Sequence, residues 1–170
     1  MIEVHPGLFV GDERDYELRV AGRPEWAVVH ACKDPYHRQL LGYRSQGAPK
    51  DDPEYLFAVR GVRLYLNMVD ANLPEFFDPR LILTAMDFVE EHIASGRKVL
   101  VHCNLGESRA PSLALLYLAS RARTLPICSL EAAEEEFRRL YPAYRPKSGI
   151  HEHLRLHWQE YCGSTEEGRV

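Results

Sequence analysis

No apolar run in the chain comes near the roughly 20 residues a membrane helix needs, so nothing in it reads as a span. The opening Met1-Ile2-Glu3-Val4-His5-Pro6 lacks the basic-then-apolar pattern of a secretory leader. Positive charge is not in surplus. Lys and Arg number 21 against 25 Asp and Glu, a net −4, which argues against a broad basic surface for nucleic acid or anionic lipid. Cysteine is scarce. Cys32, Cys103, Cys128 and Cys162 stand far apart with no Cys-x2-Cys pair, which argues against structural zinc and for a reducing, cytoplasmic setting. No metal or cofactor is implied, repeats and low-complexity linkers are missing, and nothing specifies an oligomeric state. What remains is 170 residues with 45% apolar content, enough for one domain with its own core. The expectation is a domain over residues 1–162 and a frayed tail over 163–170.

The chemistry concentrates in Val99-Leu100-Val101-His102-Cys103-Asn104-Leu105-Gly106-Glu107-Ser108-Arg109-Ala110-Pro111. An apolar run ends in His102-Cys103, a short polar loop follows, and Ala110 to Ser120 is apolar nearly all round. That order predicts a buried strand, a tight loop and a buried helix. Pro111 is tolerated in the first helical turn, where its missing N–H has no partner to lose. A helix start offers free N–H groups and the positive end of the helix dipole, so the loop before it suits an anion. A cysteine placed there is favoured as thiolate, its nucleophilic form. Arg109 adds a planar fork that can hold two phosphate oxygens, and Gly106 lets the loop turn its N–H groups inward. The backbone of Asn104, Leu105, Gly106, Glu107, Ser108 and Arg109 then forms a phosphate cradle with Cys103 in its floor. Such a site suits phosphoryl transfer. A free cysteine in a structural turn would not require His102, Gly106 and Arg109 at these offsets.

The stretch resembles the His-Cys-x5-Arg signature of the cysteine-dependent phosphatases. Its Gly-x-Ser-Arg ending, followed by Pro and an apolar helix, is most similar to their dual-specificity branch. Pro6-Gly7-Leu8-Phe9-Val10-Gly11 resembles that branch's opening hairpin. Residues Pro146 to Leu154 resemble its Pro-Asn-x-Gly-Phe-x-x-Gln-Leu segment, with Lys147, Ile150 and His153 as departures. The resemblance spans almost the whole chain and is weakest over 33–60. It implies a phosphomonoester phosphatase working through a cysteinyl-phosphate, on phosphotyrosine and secondarily on phosphoserine or phosphothreonine of proteins. It implies that His102 is a buried, orienting imidazole supporting the thiolate.

The mechanism also needs an acid to protonate the leaving oxygen and, as carboxylate, to activate water. Asp70 ends a strand 33 residues ahead of Cys103, a position similar to that of the family's general acid. The competing reading of Asp70 is a turn or helix cap. Asp78, read as the cap before Pro79, is the fallback, and Glu75 is weaker.

The fold class expected is α/β: a central mixed, mostly parallel sheet with helices on both faces, the site at a strand's C-terminal end. Strands are expected around Pro6-Gly7 and over Trp26–Ala31, Val62–Met68 and Lys98–His102, with helices from Asp12, Pro79, Ala110, Ser129 and Gly149. Residues Cys32 to Pro53 read as a long excursion with one helical turn inside. Its Arg38, Arg44 and Lys50 are either aids to an anionic substrate or ordinary solvated charges.

Ala110 stands where the family has Ser or Thr, whose hydroxyl bonds the cysteine sulfur. Glu107 inside the cradle disfavours a highly charged inositol lipid and is expected on the rim. Cys32 reads as a buried free cysteine, with a protective disulfide to Cys103 as the alternative, and Cys128 and Cys162 read as structural. Two rival functions remain: a phosphatase of a nucleotide, RNA end or other small phosphorylated molecule, and a pseudophosphatase that binds phosphorylated partners without turnover.

Overall fold

Trp26 to His30, buried at every position, and Lys98 to His102, buried after its first, are the two strands at the centre of the sheet. The computed structural model describes residues 1–163; the expected tail, Gly163 apart, lies outside the described residues. The strands are β1 (Ile2–His5), β2 (Leu8–Gly11), β3 (Trp26–His30), β4 (Phe57–Arg60), β5 (Arg63–Leu66) and β6 (Lys98–His102), ordered β1-β2-β6-β3-β5-β4. β6 runs parallel to β2 and β3, and β3 parallel to β5, while β1 and β4 are antiparallel edges. The sheet is mixed and mostly parallel, as expected. Central parallel strands are covered on both faces and so read as unbroken apolar runs.

The helices are α1 (Glu13–Arg19), α2 (Arg38–Leu41), α3 (Pro79–Ala94), α4 (Arg109–Ser120), α5 (Leu130–Leu140) and α6 (Ser148–Cys162). Their starts follow capping chemistry. Asp12 and Asp15 form a reciprocal capping box at α1, Asp78 accepts from the Arg80 N–H before Pro79, and Ser129 accepts from the Ala132 N–H. Strand alternation then divides the core. Ala27, Val29, Val99 and Val101 join the large core with α3 to α6, and α4 is buried along its whole length. Trp26, Val28 and Leu100 point to the other face and meet Val20, with Phe9 and Tyr16 against them. Helices therefore cover both faces, but unequally.

The excursion is irregular with a short helix inside, as expected. An irregular turn over Lys33–His37, with a cis Asp34–Pro35 bond, leads into α2. Buried His37 ties the segment together through the Tyr43 hydroxyl (3.2 Å) and the Glu54 carbonyl (3.0 Å). Arg38 bonds within its own loop, to Asp34 and the Ser45 and Gln46 carbonyls, whereas Arg44 and Lys50 are exposed. Strand β4 was not expected. It is a four-residue edge, half of it exposed, whose register with β5 leaves Gly61 (φ +57°) and Val62 as a two-residue turn. Cys128 also differs: it is exposed, whereas Cys162 is buried.

Candidate active site

Strand β6 delivers Cys103, 2% exposed, to the C-terminal edge of the sheet, and α4 begins six residues later at Arg109. The loop between them is held from outside by its carbonyls. The Glu13 N–H of α1 donates to the Asn104 carbonyl (3.4 Å), the Tyr141 hydroxyl to that of Gly106 (2.9 Å), and the Arg145 N–H to that of Glu107 (2.8 Å). In a trans peptide the N–H points opposite to the carbonyl, so the amides of Leu105, Glu107 and Ser108 face the loop's interior. Gly106 is required by two facts. Its φ is +69°, and a Cβ there would lie 3.0 Å from the backbone carbonyl of Gly11. Leu105 is exposed at the loop's tip and the Glu107 side chain is half-buried.

Arg109 is buried and braced. Its Nη1 donates to the Met68 carbonyl (3.1 Å) and its Nη2 to Asn104 Oδ1 (2.8 Å), while Asn104 Nδ2 reaches the Asp34 carbonyl (3.0 Å). Its Nε has no hydrogen-bond partner and lies 4.0 Å from Asp70 Oδ1. Asp70, just beyond β5, accepts from Ser108 Oγ (2.9 Å) and pairs with Lys147 Nζ (3.2 Å). The structure thus brings Cys103, Arg109, Asp70 and the whole cradle to one place. Asp78 is the cap of α3 and Glu75 sits exposed in a 3-10 turn over Pro74–Phe76.

Behind Cys103, His102 Nε2 and His30 Nδ1 are 2.6 Å apart, brought together by the β3–β6 register. Tyr16 stacks on His102, and Tyr36 and Tyr65 on His30, sealing the pair from water. Burial, and for His30 also the neighbouring His102, pushes His30 to about 2 and His102 to about 3, so both imidazoles are neutral. Burial likewise pushes the Cys32 thiol up to about 12, which keeps it protonated; Cys32 and Cys103 are both free.

No protein-family model matches the chain. Human dual specificity protein phosphatase 26 is 31% identical over 121 residues, 68% of this chain and 49% of that protein. Among solved structures, human DUSP28 superposes with a TM-score of 0.62 at 21% identity, covering 96% of this chain and 93% of its own. Human tyrosine phosphatase-like serine/threonine/tyrosine-interacting protein superposes at 0.65 and 20% identity, covering 95% and 97%. The chain is similar in sequence to the dual-specificity branch of the cysteine-dependent tyrosine phosphatase superfamily and shares that branch's fold. It spans about half the length of the curated relatives it matches, and the solved structures at this identity speak for the fold.

The site also holds residues that the signature motif does not reveal. Lys147 stood out only as a departure from the Pro-Asn-x-Gly segment, and His30 had no motif at all. The Ser108 hydroxyl donates to Asp70 and accepts from the Lys147 N–H (3.0 Å).

Proposed function

We propose that this chain is a phosphomonoester phosphatase acting through a cysteinyl-phosphate. The Cys103 thiolate attacks phosphorus, the Sγ–P bond forms as the P–O bond to the leaving group breaks, and Asp70 gives its proton to the departing oxygen. Asp70, now a carboxylate, takes a proton from water as that water attacks phosphorus, and Cys103 leaves as thiolate. The inward amides and Arg109 hold the phosphoryl oxygens where charge develops. His102 orients the loop.

One observation carries this reading. The loop's carbonyls are bonded outward while a braced arginine keeps one buried, unpartnered N–H facing the acid. A buried donor without a partner is costly unless a ligand completes it. The substrate class favoured is phosphotyrosine in proteins, then phosphoserine or phosphothreonine. The rival class, a nucleotide, RNA end or other small phosphorylated molecule, draws less support from the excursion, where Arg38 is bonded within its own loop and Arg44 and Lys50 are left exposed. No helix among the described residues is long and apolar enough to cross a membrane.

The test is steady-state hydrolysis of an aryl phosphate in a metal chelator, wild type beside Cys103→Ser. Turnover that persists with the chelator and disappears in the variant is expected. Phosphate or vanadate binding without turnover in the wild type would contradict the enzyme reading and favour a phosphate-binding pseudophosphatase.

A further inference from the structure

Asp70 does not hang from a free loop. Lys147 Nζ lies 3.2 Å from its Oδ2, on the side away from Ser108 Oγ and Arg109 Nε, which face Oδ1 at 2.9 and 4.0 Å. The backbone N–H of Lys147 donates to that same Ser108 Oγ (3.0 Å), so one residue touches the carboxylate directly and through a hydroxyl. The next residue continues the contact: Ser148 Oγ donates to the Asn72 carbonyl (2.9 Å). The third leaves no gap. A Cβ on Gly149 would sit 2.3 Å from the Ala71 carbonyl oxygen and 2.9 Å from the Leu73 nitrogen and oxygen. Three consecutive residues at the start of α6 thus grip four consecutive residues of the acid loop.

Resting on the phosphatase reading above, we propose that Lys147 is a positioning residue for Asp70, the charged part of a clamp that holds the acid loop over the cradle before substrate arrives. An exposed ion pair is ordinarily worth little, because ordering two flexible side chains offsets the attraction. Here the backbones on both sides are already fixed to each other, so the ordering cost falls mainly on the lysine stem. The gain is in geometry. A proton donor must lie within hydrogen-bond reach of the leaving oxygen, and small displacements lower the rate steeply.

The test compares kcat/KM, which reports the first chemical step, on two substrates. Phenyl phosphate needs its leaving oxygen protonated; an aryl phosphate with a strongly electron-poor ring does not. Asp70→Asn serves as reference beside Lys147→Ala and Lys147→Arg. Lys147→Ala is expected to lower kcat/KM on phenyl phosphate about two- to fivefold, leave the electron-poor substrate unchanged, and be rescued by Lys147→Arg. An equal loss on both substrates would make Lys147 a substrate-binding or structural cation and overturn the proposal, as would no loss on either. If Asp70→Asn shows the leaving-group dependence and Lys147→Ala does not, the clamp alone fails. If Asp70→Asn shows none, the acid assignment fails and the clamp with it.

Discussion

Ala110 is fully buried next to Arg109, and its methyl offers the cysteine sulfur no hydrogen bond. Ser108, the neighbouring hydroxyl, donates to Asp70 instead. A hydrogen bond to a charged group contributes about 1.5–3 kcal/mol, so breakdown of the phosphoenzyme is expected to be slow. Rapid-mixing kinetics should show a burst of phenol release in the wild type, and Ala110→Ser should shrink the burst and raise kcat; no burst and no gain would contradict this. Gly106→Ala adds a Cβ 3.0 Å from the Gly11 backbone at a positive φ, so vanadate inhibition should weaken by about 1–3 kcal/mol in an inhibition titration. At this scale the meeting of Asp70 with the Cys103–Arg109 loop was legible, because the proposed chemistry asks for those residue types together. Lys147 and His30 were not. Their contacts with Asp70 and His102 cross long stretches of chain, and only the packed α6 start and the β3–β6 register create them.

Among the elements, the acid loop and α6 behave as one unit. Gly149→Ala would force the Ala71 carbonyl aside, so it should cost about 1–3 kcal/mol of stability in urea unfolding and lower kcat/KM on phenyl phosphate more than on an electron-poor aryl phosphate. A variant as stable and as active as wild type would show that the loop does not rest on α6. Long periodic helices and buried central strands could be read directly, as α3, α4, β3 and β6 illustrate. Strand β4 could not. Leu56-Phe57-Ala58-Val59 is an apolar run, but a run that short does not tell strand from helix, and as an edge the strand buries only Ala58. The excursion was opaque for a related reason: its order comes from polar contacts of His37, Arg38 and Lys33 to backbone carbonyls, which leave no periodic trace.

Across the whole molecule, the neutral His30–His102 pair couples the site to folding. Both folded values lie below the ordinary 6.5, so the unfolded chain binds more protons as pH falls below about 6.5. Stability is therefore fully present above that pH and lost as pH drops toward about 3, by up to about 1.4 kcal/mol per pH unit for each imidazole. Urea midpoints at pH 7 and pH 5 should show this fall, and His30→Gln should reduce it; an unchanged slope would mean the pair is not buried neutral. The central claim is that phosphate passes through Cys103. The most direct measurement is acid quenching during turnover of an aryl phosphate, followed by peptide mass analysis of wild type and Cys103→Ser. A phosphate adduct on the Cys103 peptide, formed within the burst and missing in the variant, is the predicted result. Sustained turnover in Cys103→Ser, or an adduct on another residue, would contradict it.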